Sequence, residues 1–118
     1  MSQIKLPHDH GQKIEDVVAR LPHSEDFQTL SDLFRQLSDP SRMRIFWILC
    51  HCEECVINLS AMMEMSSPAV SHHLKQLKSA GLIVSRREGK EVYYKAAQTE
   101  TVHEMHHMME SLMEISCP

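Results

Sequence analysis

The sequence predicts a mainly α chain of about five to six helices closed by one two-stranded β-hairpin, and three observations in its second half predict it. The first lies in the run from Ser66 to Tyr94. Ser67 is placed to cap a helix, Pro68 suits the first turn where a missing N–H costs nothing, and Gly81 suits the left-handed residue that ends it. At about 100° per residue, Val70, Leu74 and Leu77 share a narrow arc, and Ser71, His72, Lys75, Gln76 and Ser79 spread over the opposite one. The second observation is that Leu82 to Arg86 and Glu91 to Lys95 read as strands around Glu88-Gly89-Lys90, with Val84, Val92 and Tyr94 on alternate positions. The third is charge. Residues 72 to 95 hold six Lys/Arg against two Glu in a chain whose net charge is −4, so positive charge is concentrated there. A small, hydrogen-bonding, basic helix face followed by a basic hairpin is what entry into a major groove requires. The pattern is that of a winged helix-turn-helix, with double-stranded DNA as the expected partner. The expected DNA contacts are Ser67, Ser71, His72, His73, Lys75 and Gln76 on the helix, and Arg86, Arg87 and Lys90 on the wing.

The earlier elements follow in order. Residues 1–11, with Pro7, Gly11 and the pair His8 and His10, read as a mobile arm. Ile14, Val17, Val18 and Leu21 predict a short helix stopped near Pro22, and Phe27, Leu30, Leu33, Phe34 and Leu37 mark the next. Asp39-Pro40 is a cap followed by proline at the first helical position, opening a helix that buries Ile45, Phe46 and Leu49 and ends near the cysteines. Asn58 is expected to cap a short helix holding Leu59, Met62 and Met63, with Met65-Ser66 as the turn into the recognition helix. A last helix is expected over 99–115, its methionine-rich side serving dimerisation.

Length, at 118 residues with 42% hydrophobic content, predicts a single domain over 1–118, with dimerisation adding burial. Neither a long apolar run nor a basic-then-apolar leader is visible, so the expectation is a cytoplasmic protein with no membrane partner. In that reducing compartment the four cysteines are expected to be thiols. No Gly-rich phosphate loop, nucleophile elbow or H-E-x-x-H motif appears, which points away from an enzyme.

Several local motifs then carry a family resemblance. They are Leu37-Ser38-Asp39-Pro40-Ser41-Arg42, Glu54-Cys55-Val56, Ser71-His72-His73-Leu74, and Arg87-Glu88-Gly89-Lys90 leading into Tyr93-Tyr94. From the helix before Asp39 to its end, the chain resembles the ArsR/SmtB metalloregulatory repressors. The resemblance implies a homodimer that sits on an operator and leaves it when a metal binds. Zinc, cadmium, lead and arsenite are among the ions sensed in this family, so the resemblance does not name the inducer.

Three groups of residues are candidate ligands for Zn(II), Cd(II), Pb(II) or As(III). Cys50, Cys52 and Cys55 form a C-x-C-x-x-C cluster at a helix junction, and three thiolates can close around a soft ion. The cysteine-sensing branch of the family carries Glu-Leu-Cys-Val-Cys-Asp where this chain has Glu53-Glu54-Cys55-Val56-Ile57-Asn58, so only Cys55 is retained. His8 and His10 are possible arm ligands. The second candidate is the stripe His103, His106, His107 and Glu110 on the last helix, where no Lys or Arg follows Lys95 to balance it. The zinc-sensing relatives place ligands at positions that here are Gln98, Glu100, Ser111 and Glu114, so that site is not reproduced. Cys117 stands apart. A thiol-based redox or persulfide sensor of the same fold, and a metal-buffering protein without operator control, are the competing readings.

Overall fold

The structure is a computed structural model and describes residues 5–114. The chain divides after Asp32 into two compact units. In the first, α1 (Ile14–Arg20) has Glu15 and Asp16 in its first turn and Arg20 in its last, and Leu21 is already extended before Pro22. α2 (Ser24–Gln36) runs on into the second unit. Neither helix buries a residue. Phe27, Leu30 and Phe34, at one-turn intervals on α2, are each about half exposed. His8 and His10 are exposed, their rings stacked with centroids 5.8 Å apart.

The second unit carries the core. α3 (Pro40–His51) begins as expected: Asp39 accepts from the Arg42 N–H at 2.9 Å, with Pro40 at the first helical position. The charges of Arg42 and His73, and above all that hydrogen bond, hold the Asp39 carboxyl below its ordinary value. Ile45, Phe46, Ile48 and Leu49 are buried from α3, and they pack with Leu59 and Met63 of α4 (Val56–Met63) and Val70, Leu74 and Leu77 of α5 (Ser67–Ser79). α4 and α5 are the helix-turn-helix. Between them Glu64 is left-handed, and the Ser60 and Ser67 hydroxyls meet at 3.1 Å.

Local punctuation differs from expectation by a residue at two places. Ser66, not Ser67, caps α5, accepting from the Ala69 N–H at 3.3 Å, which moves Pro68 one position inward. α4 starts at Val56, ahead of Asn58, whose side chain instead donates to Glu54 at 2.8 Å. The reason is a short strand, β1 (Glu54–Cys55), which pairs antiparallel with Tyr94 and Tyr93 and fixes where the helix begins. Gly81 does end α5 in the left-handed region at φ +76, and the Gly81 and Leu82 N–H groups donate to Lys78 and Leu77.

β2 (Ile83–Glu88) and β3 (Glu91–Ala96) form the wing around Gly89-Lys90, and β1 makes the sheet three-stranded in the order β1-β3-β2. The register pairs Ser85 with Tyr94 and Arg87 with Val92, whereas Val84 faces Lys95. Cross-strand partners share a face, so Val84 lies opposite Val92 and Tyr94 and is exposed, while Ile83 takes the buried place beside Ala96.

α6 (Glu100–Met113) is capped by Thr99 and stops at left-handed Glu114. Val102, Met105 and Met109 join the chain's own core, so much of the methionine arc is already covered within one chain. Leu112 and Met113 remain exposed. Ile115 and Cys117 lie outside the described residues. Among those described, no helix is long and apolar enough to cross a membrane.

Candidate nucleic-acid interface and metal centre

The inner arc of α5 is buried at Val70, Leu74 and Leu77, which fixes the helix's rotation and leaves Ser67, Ser71, His72 and Lys75 exposed. Gln76 is half-buried at the edge of that face. His73 faces elsewhere. Its Nε2 lies 3.8 Å from an Asp39 oxygen at the start of α3, and partial burial is the main cause holding its pKa below the ordinary value. It belongs to the packing of α5 on α3 and stands apart from the outward residues grouped with it in the sequence.

The wing separates its cations. Arg87 and Lys90 are exposed at and beside the tip. Arg86 is held on the protein: it donates to both oxygens of Glu53 at 2.9 and 2.7 Å and to Glu88 at 2.6 Å, and its guanidinium sits 4.8 Å from the centre of the Tyr93 ring. Those carboxylates hold its pKa above the ordinary value, and the same bonds pull the Glu53 carboxyl down. Arg86 therefore fastens the wing to the segment after α3, and its charge is already opposed. Lys78 adds a second tie, donating to the Ser85 hydroxyl at 2.7 Å.

The candidate metal ligands are sorted differently from the sequence pattern. Among the described residues, one group of three His, Cys, Asp or Glu side chains converges closely enough to hold an ion: His51, His106 and Glu110. His51 is the last residue of α3. Its Nε2 lies 3.1 Å from His106 Nε2 and 3.6 Å from Glu110 Oε1, and His106 Nε2 lies 3.1 Å from the same oxygen. The expected stripe on α6 is thus split. His106 and Glu110 flank the buried arc of Val102 and Met109 and turn toward α3, whereas His103 and His107 are exposed. His8 and His10 join no such group.

Cys52 and Cys55 are free thiols, and Cys50, Cys52 and Cys55 form no group of that kind among the described residues. Cys50 packs against the core, and Cys52 contacts the Ile48 carbonyl at 3.5 Å. Desolvation, aided by the Glu54 carboxylate, pushes the Cys52 thiol up, which lowers its thiolate fraction and its reactivity. His51 was missed at the sequence level. Its signal was present in Cys50-His51-Cys52, but its partners sit 55 and 59 positions away on α6.

A helix-turn-helix with an exposed polar helix face and a cationic hairpin tip defines a winged-helix DNA-binding protein. The comparisons agree. Residues 39–85 match the model of the arsR family of bacterial regulatory proteins. The chain is 33% identical over 105 residues to the transcriptional repressor SmtB homolog of Synechocystis, covering 89% of this chain and 80% of that one. It is 35% identical over 86 residues to the cadmium resistance transcriptional regulatory protein CadC of Listeria innocua, covering 72% and 71%. In fold it is similar to the homodimeric winged helix-turn-helix DNA-binding domain Mb0332 of Mycobacterium bovis, with a TM-score of 0.67 and 24% identity over 90% of this chain and 91% of that one. The chain belongs to the arsR family, and it is a transcriptional regulator rather than an enzyme.

Proposed function

We propose that this chain is a cytoplasmic, homodimeric transcriptional repressor that holds its operator through α5 and the β2–β3 wing and releases it when a metal ion binds. The observation that carries the reading is the division of α5 into a buried Val70/Leu74/Leu77 arc and an exposed Ser71/His72/Lys75 face, next to a wing tip bearing Arg87 and Lys90. The exposed helix residues, with Gln76 at their edge, read base edges, and the wing cations meet phosphates. Dimerisation is supported by the homodimeric fold relative. Regulation by a metal is supported by the relative named for cadmium resistance. The ions to compare are Zn(II), Cd(II), Pb(II) and As(III). The raised Cys52 thiol argues against a redox sensor built on that residue.

The test is selection of duplexes from a random-sequence pool by the metal-free protein, followed by binding of the selected and scrambled duplexes at fixed salt and by sedimentation. Two chains per duplex and a preference of about 10³-fold or more for the selected sequence are expected. Equal, weak binding of both duplexes would reduce the protein to a metal-buffering role.

A further inference from the structure

The ends of three side chains meet where α3 closes against α6. His51 comes from the last position of α3, and His106 and Glu110 stand one turn apart on α6. We propose that these three residues form an intrachain binding site for a borderline divalent cation of the zinc class, and that this ion is the regulatory metal. The regulatory part rests on the repressor reading above. The binding part does not.

Spacing is the first argument. Bonds of about 2.0–2.2 Å to nitrogen and oxygen, arranged tetrahedrally, separate neighbouring ligand atoms by about 3.3 Å. The three separations here are 3.1, 3.1 and 3.6 Å, which bracket that spacing.

Hydrogen bonding alone serves this geometry poorly. His106 Nε2 is 3.1 Å from both His51 Nε2 and Glu110 Oε1, yet a single ring nitrogen carries either one proton or one lone pair. If it donates, one proton is divided between His51 and Glu110 in a three-centre bond, and if it accepts from His51 it meets the carboxylate lone pair to lone pair. A cation at the centre accepts all three lone pairs at once.

Burial adds to this. Glu110 is 7% exposed, so its carboxylate is withdrawn from competing water.

The donor set selects the ion. Two imidazoles and one carboxylate suit Zn(II) and its borderline neighbours, and lack the thiolates that favour As(III) or Pb(II). Three protein ligands leave a fourth position for water or a further donor. The Trp47 ring, 4.2 Å from that of His51, braces the imidazole from α3. The location is also apt for control: Glu53, which grips Arg86 of the wing, lies two residues beyond His51. An ion that fixes the end of α3 therefore acts at the root of the wing's anchor.

The experiment uses the full chain without DNA. It is titrated with Co(II), read by visible absorption and by emission of Trp47, the chain's single tryptophan, and then with Zn(II) against a chromophoric chelator. One ion per chain is expected, with four-coordinate Co(II) bands, quenched Trp47 emission and no strong thiolate charge transfer in the near ultraviolet. His106→Gln and the near-isosteric Glu110→Gln should each weaken binding by about 100-fold or more, whereas a Cys52/Cys55 double serine variant should bind as the wild type does. Helical circular dichroism of each variant confirms that it is folded. Unchanged affinity in both α6 variants, or a thiolate band that disappears with the cysteines, overturns the site. Because no DNA enters the readout, a failure here is separate from a failure to bind an operator.

Discussion

Replacing Arg86 by Gln separates two accounts of the wing. If all wing cations meet phosphates, each neutralised phosphate contributes about 0.9 to the slope of log affinity against log salt, and losing Arg86 lowers that slope by about 0.9 per chain. In the structure the Arg86 guanidinium is already opposed by Glu53 and Glu88 at 2.6–2.9 Å, so it releases no counterion from DNA. The expected change in slope is therefore near zero. Arg87 and Lys90 are exposed, and their double alanine variant should lower the slope by about 1.8 per chain, or about 3.6 for a two-chain complex. The assay is fluorescence anisotropy of a labelled selected duplex across about 50 to about 200 mM salt, the range over which phosphate contacts dominate affinity. Arg86→Gln should still weaken binding, because the wing loses its tie to the segment after α3, but the salt lines should stay parallel. A slope that falls as much for Arg86→Gln as for Lys90→Ala would refute the assignment of Arg86 to the latch.

Two further outcomes follow from local geometry. Gly81→Ala should cost about 1 kcal/mol in urea unfolding, since its left-handed φ penalises any Cβ while nothing lies within 4 Å of one, and a neutral result would show the helix end to be adjustable. His73 has a folded pKa below its ordinary 6.5, so the stability it contributes is fully present above that value and is lost as pH falls through the folded one. Wild type should accordingly lose more stability than His73→Gln between about pH 7.5 and about pH 5, and matching profiles would remove His73 from the account.

What the sequence made legible was whatever its own neighbours determine. The Asp39-Pro40 start, the left-handed Gly81 and the Val70/Leu74/Leu77 arc all depend on residues within a turn or two, and all are found in place. Errors appeared where a distant segment decided the matter. β1 exists only because Tyr93 and Tyr94 pair with it, and that pairing moved the start of α4 ahead of Asn58. Arg86 looked like its neighbour Arg87 until Glu53, 33 positions earlier, took its charge. Periodicity grouped His103, His106, His107 and Glu110 as one stripe of α6, but it could not tell which edge of that stripe meets α3. His51, the residue that completes the cluster, came from that other helix.

The most direct measurement is the affinity of the protein for its selected duplex with and without zinc, in wild type beside Glu110→Gln. Coupling between the two sites predicts that saturating zinc weakens the wild-type complex by about 5- to 150-fold, and that duplex weakens zinc binding by the same factor. The Glu110→Gln protein should bind the duplex as tightly as metal-free wild type and show no response to the same zinc concentration. Equal duplex affinity with and without zinc in the wild type, or an equal loss in both proteins, would contradict the account.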